Sequence, residues 1–145
     1  FDTWMNDNYN DPNSNHVGVD IDGSVVSVST ANVTPRFDDE NIWYAWVDYD
    51  GTNLEVRANQ TGVRSATALL THSLNVAAIL GQDTAYVGFT SGTGAAYGNH
   101  DILSWEYRDT FDPIGQVPEP TALAIWSAMG GVFLVGIRRR RQRVG

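Results

Sequence analysis

Phe1-Asp2-Thr3-Trp4-Met5-Asn6, continuing through Asp11-Pro12 to His16-Val17-Gly18-Val19-Asp20, is the stretch that decides the reading of this chain. It places carboxylates, carboxamides and one imidazole on a loop-like segment, the donor mixture of a hard cation with room for one borderline metal. The segments 1–3 and 17–19 read as strand ends, and the Asn, Asp and Pro between them suit a loop that folds back on itself. Metal binding is therefore the leading expectation. The plain alternative is a solvated Asp/Asn turn. A calcium loop of the EF-hand kind is also imitated by Asp11-x-Asn13-x-Asn15, but His16 stands where that loop needs Gly and Asp22 where it needs Glu.

The arrangement resembles the metal-binding loop of the legume lectins. Their pattern runs Glu-(apolar)-Asp-Thr-(aromatic)-x-Asn, then Asp-Pro, then His-(apolar)-Gly-(apolar)-Asp. The leading Glu would fall just before residue 1, so the chain is expected to begin inside the domain and to lack the family's amino-terminal half. The resemblance implies one Ca²⁺ and one transition metal, usually Mn²⁺, side by side. It makes Asp2 and Asp11 the bridging carboxylates, Asn6 and the Trp4 carbonyl further calcium ligands, and His16 the nitrogen ligand of the manganese-like ion.

Composition narrows the function classes. The chain has 145 residues, 42% of them apolar, enough for one domain with a core. Lys and Cys are absent, and five of the nine Arg lie after residue 137. Residues 1–137 carry 4 Arg against 17 acids, a net charge of −13. Phosphate binding needs a positive face, so nucleic acid is not an expected partner. Without Cys there is neither a disulfide framework nor a Cys-based zinc site.

Further along, residues 24–29 and 66–73 read as strands, and residues 41–48 give a strong strand signal from Ile42, Trp43, Tyr44, Trp46 and Val47. Asp50-Gly51 is a hairpin turn, because Gly accepts positive φ. Residues 53–58 return with Leu54, Val56 and Ala58 alternating against Glu55 and Arg57, which predicts one buried face and one wet face. Residues 75–80 suit one short helical turn ended by Gly81, and residues 85–90 and 102–107 read as the last strands. Short strands without a long helix argue an antiparallel sandwich. Trp43, Trp46 and Trp105 are expected in the core, His100 at a strand end, and Asp38-Asp39-Glu40 in a solvated loop.

The carboxy-terminal part also resembles the legume lectins, through Tyr86-Val87-Gly88-Phe89-Thr90, the small-residue loop 91–96, and His100-Asp101-Ile102-Leu103-Ser104-Trp105. The fold implied is all-β, a partial concanavalin-like jelly-roll sandwich over residues 1–108. For the sugar, the resemblance makes Asn6 a hydrogen-bond donor, Trp4 an aromatic wall, and Ala95 and Ala96 the backbone rim of the specificity loop. Trp4 has an equal alternative as ordinary core.

Residues 109–120 read as a linker ending in Pro118-Glu119-Pro120, where two prolines fix φ. Residues 122–137 carry no charge, and an Arg cluster follows at once. As a helix this run spans ~24 Å, short of the roughly 30 Å hydrocarbon core, a gap that snorkelling flanking side chains can bridge. Residues 121–137 are expected to form a single transmembrane helix, and 138–145 a cytoplasmic tail. A buried helix is the alternative. The order of Pro-Glu-Pro, apolar run and Arg cluster resembles the PEP-CTERM tail of bacterial exported proteins, which implies recognition by an exosortase-type sorting enzyme. The protein would then pass from an inner-membrane-anchored precursor to the cell surface or extracellular matrix.

The expected function is a calcium-dependent carbohydrate-binding lectin. Its expected partners are a glycan or polysaccharide, the membrane, the sorting enzyme and, as an open alternative, a second copy in a homo-oligomer. Two rivals remain at this level: a structural matrix protein whose calcium site only rigidifies a loop, and a glycoside hydrolase on the same sandwich. Hydrolases of laminarinase type carry Glu-x-Asp-x-x-Glu on one strand. No such run occurs here, since Glu40, Glu55, Glu106 and Glu119 are scattered, so the chain is not expected to be an enzyme.

Overall fold

The computed structural model describes residues 1–92 and 97–115. The opening loop closes where Asp2 and His16 exchange backbone hydrogen bonds, Asp2 N to His16 O at 2.8 Å and His16 N to Asp2 O at 3.0 Å. From there β1 (His16–Val19) runs antiparallel to β2 (Ser29–Asn32), His16 opposite Asn32 and Val19 opposite Ser29. A second antiparallel sheet follows in the order β3 (Tyr44–Tyr49), β4 (Asn53–Asn59), β5 (Leu70–Ser73). Val17 and Val19 from the first sheet, Val33 just beyond it, and Val56 and Leu70 from the second form one buried cluster, with Trp43, Phe37 and Leu54 packed on its margin.

Local chemistry accounts for the element boundaries. Gly51 has φ 94°, and the Asp50 carboxylate accepts from the backbone N of Thr52 and Asn53, which closes the β3–β4 hairpin where Asp-Gly predicts it. The helix α1 (Val76–Leu80) starts under an Asn75 cap, whose Oδ1 accepts from Ala78 N at 2.9 Å, and stops at left-handed Gly81.

Several expectations are corrected. The strand expected over residues 24–29 begins only at Ser29. Asp22 and Gly23 both take positive φ, Ser24 Oγ accepts from Val26 N, and Ser27 Oγ donates to Asp20, so local bonds divert this backbone from the ladder. The strand expected over 66–73 is confined to Leu70–Ser73. Residues 85–90 and 102–107 have strand-forming side chains but belong to no ladder. Their aromatics pack on one another, Phe89 against Trp105 with ring centroids 5.3 Å apart and Trp105 against Tyr107 at 6.1 Å. Trp105 is accordingly exposed, whereas Trp43 and Trp46 are half-buried. On β4 the expected wet face is closed. Arg57 is buried, its guanidinium bonded to Asp48, Glu55 and the carbonyl of Ser65, and Arg64 reaches the same Asp48 oxygen from the loop that covers it. Among the described residues no helix is long and apolar enough to cross a membrane. The expected transmembrane segment 121–137, the sorting motif Pro118-Glu119-Pro120, and Ala95 and Ala96 lie outside the described residues.

Candidate metal centre

The strand pairing at Asp2 and His16 brings the two ends of the opening loop together, and Asp11 enters from the loop between them. One donor atom from each of Asp2, Asp11 and His16 lies within 4.8 Å of the others. A small open cavity of about 140 Å³ is lined by these three residues with Phe1, Gly18, Asp20, Val25 and Ser27.

Each ligand candidate is oriented by the backbone. Asp2 Oδ1 accepts from Trp4 N at 2.7 Å and Asp11 Oδ2 from Asn6 N at 2.7 Å, so each carboxylate has one oxygen held by an N–H. His16 is 2% exposed. Its Nδ1 stands 2.9 Å from the carbonyl of Asn13 and donates to it, which turns Nε2 towards the two carboxylates. That nitrogen lies 3.3 Å from Asp11 Oδ1. The donor set therefore fits an ion: oxygens for calcium, and one imidazole among carboxylates for a manganese-like metal.

The remaining predicted site residues divide. Asn6 is half-buried and tethered to Asp11 through its backbone N–H. Trp4 is 57% exposed beside the loop rather than in the core. Sequence reasoning missed three residues. Asp20 and Ser27 line the cavity and are bonded to each other at 2.7 Å, although Asp20 closes the quoted motif. Asn15 is buried and bonded to the segment 33–37. The Asn13-x-Asn15 spacing was its only signal, and it suggested ligands rather than braces. Gly18 is required for its smallness, because a Cβ there would run into Ser27 Oγ and push it off Asp20.

The electrostatic surroundings are acidic. Beside the loop, Arg36 forks onto Asp38, with Nε to Oδ1 at 2.7 Å and Nη2 to Oδ2 at 2.8 Å. This bond holds the Asp38 carboxyl below its usual range and the Arg36 guanidinium above its own. Asp39 is lowered chiefly by a hydrogen bond from the Gln60 side chain. The acidic run is thus partly braced rather than simply solvated.

Fold and site together define a mainly β domain with a candidate metal centre in a folded-back loop. The sequence matches the legume lectin domain family over residues 1–122. Among curated relatives, it is 33% identical over 122 residues to the L-type lectin-domain containing receptor kinase SIT2 of Oryza sativa subsp. japonica, covering 74% of this chain and 18% of the relative. It is 30% identical over 139 residues to the L-type lectin-domain containing receptor kinase I.8 of Arabidopsis thaliana, covering 82% of this chain and 21% of the relative. The chain belongs to the legume lectin domain family. It spans about a fifth of the length of these relatives.

Proposed function

We propose that the chain is a carbohydrate-binding lectin domain whose sugar site is organised by calcium. The observation that carries this reading is the convergence of Asp2, Asp11 and His16 in the opening loop of a legume lectin domain. Calcium bound there supplies a fixed positive centre that neutralises the facing carboxylates and accepts further oxygen ligands. The chain's own residues do the rest. Trp4 N–H and Asn6 N–H hold the two carboxylates in place. The exposed Trp4 indole offers an apolar wall for a pyranose face. Asn6 serves as calcium ligand and as hydrogen-bond donor to the sugar. His16 Nε2 is the nitrogen donor for a second, manganese-like ion. We infer that the domain binds its glycan without transforming it, because the Glu-x-Asp-x-x-Glu run of laminarinase-type hydrolases does not occur in the sequence. The order of residues 117–143 supports export through a sorting tail, with the lectin domain delivered outside the cell.

A glycan array run with calcium and with a chelator tests the core of this reading. Binding to a defined set of glycans that disappears on chelation is expected. Calcium binding with no glycan recognised would make the domain a calcium-braced matrix protein, and hydrolysis of a polysaccharide panel would make it an enzyme. Either result overturns the proposal.

A further inference from the structure

The metal loop is anchored by two residues that are not in its ligand set. Asn15 is 5% exposed. Its Nδ2 donates to Val33 O at 2.8 Å and Pro35 O at 3.0 Å, and its Oδ1 accepts from Phe37 N at 2.9 Å. Its own carbonyl accepts from Val33 N at 3.0 Å. A single carboxamide thus fastens three backbone groups of the segment 33–37. From that segment Arg36 reaches back, Nη1 to Ser14 Oγ at 3.1 Å and Nη2 to Thr3 O at 3.4 Å. The segment holds the loop at Thr3, next to Asp2, and at Ser14 and Asn15, next to His16. It does not simply follow the loop, because Phe37 is wedged between Phe1 and Trp43 at centroid distances of 5.5 and 4.7 Å.

Resting on the metal reading above, we propose that residues 33–37 form a strap that sets the calcium affinity of the centre, with Asn15 and Arg36 as its positioning residues. The residue type at 15 is dictated by what it faces. Two carbonyls, that of Val33 buried, take donors and one N–H takes an acceptor, a combination that a carboxamide supplies. Aspartate keeps the shape and the acceptor but faces both carbonyls without donors. The carboxamide acts through His16 and Asp11. It fixes the backbone that carries His16, while Asn13, bonded through its Oδ1 to Asn15 N at 2.7 Å, presents its carbonyl to His16 Nδ1. Partners of this kind outside the ligand set change metal affinity by about 10–100-fold when removed.

The sign of the effect separates positioning from charge. Asn15→Asp and Arg36→Gln both make the surroundings more negative, so Coulomb attraction alone would tighten calcium binding. Positioning requires both to weaken it. The experiment titrates calcium into the full chain by calorimetry, for wild type, Asn15→Asp, Arg36→Gln and the control Arg64→Met, which lies in the ion cluster over β4. Electron paramagnetic resonance of added Mn²⁺ gives a second count of bound metal, and urea unfolding in chelator gives the folded fraction. The expected result is a Kd raised about 10–100-fold by Asn15→Asp, a smaller rise with Arg36→Gln, and an unchanged Kd for Arg64→Met despite its lower stability. Tightened or unchanged binding in Arg36→Gln overturns the strap, and this exposed position decides the matter if Asn15→Asp does not fold. Wild type without any calcium heat would sink the metal reading itself, a result distinct from wild-type binding that both variants retain.

Discussion

Arg57 occupies a strand position that alternation assigns to water, yet its side chain is nearly enclosed. The reason lies sixteen residues from its acid. Asp48 Oδ2 accepts from Arg57 Nη1 at 3.0 Å and from Arg64 Nη2 at 2.6 Å, so one carboxylate serves two buried guanidiniums. Removing one member of such a cluster strands the others without compensation. Asp48→Asn is expected to lower stability by about 3–5 kcal/mol, measured by urea unfolding; a loss under about 1 kcal/mol would mean that water replaces the carboxylate. At the metal centre, Asp11→Ala should abolish the thermal stabilisation given by calcium, and a melting temperature that still rises with calcium would place the ion elsewhere. The convergence of Asp2, Asp11 and His16 was legible because their spacing in a folded-back loop leaves a pattern. Asn15 and the Asp48 cluster were not. A brace bonded to backbone carbonyls, or a charge covered by a later loop, depends on contacts that no local periodicity encodes.

Among the elements, the hairpin between β3 and β4 illustrates what turn chemistry can predict. Asp50 is lowered below its usual value chiefly by the Asn53 N–H and then by the Thr52 N–H. A depressed carboxylate contributes stability that is complete above its ordinary range and is lost as pH falls through the folded value. Melting between about pH 6 and pH 2 should therefore have an acid-side slope that Asp50→Asn reduces; an identical slope in the variant would remove Asp50 from the acid transition. Gly51, at φ 94°, should cost about 1 kcal/mol or more when changed to Ala. The second sheet and the helical turn at 75–80 were legible for the same reason, since Asp-Gly, the Asn75 cap and Gly81 act within a few residues. The stretches 85–90 and 102–107 have the composition of strands but no ladder. Composition reports what a side chain prefers, whereas a ladder needs a partner backbone.

For the whole molecule, a ligand that binds only the native state stabilises it by mass action. Calcium at a hundred times its Kd should add about 2.7 kcal/mol, and differential scanning calorimetry across a calcium series measures it. The charge of the chain is divided as well, acidic through residue 137 and basic after it. If Pro118-Glu119-Pro120 is a sorting motif, mass spectrometry of exported protein should find a carboxy terminus near residue 120. Glu119→Ala should then hold the precursor in the inner membrane, whereas peptides from the Arg cluster in exported material would refute processing.

His16 pairs across its backbone with Asp2 on one side and Asn32 on the other, while its ring faces Asp11. One residue therefore belongs both to the candidate ligand set and to the seam that closes the loop, so an ion held there would brace the seam. A calcium-starved chain should be nicked by a protease between residues 3 and 14 while the second sheet stays resistant.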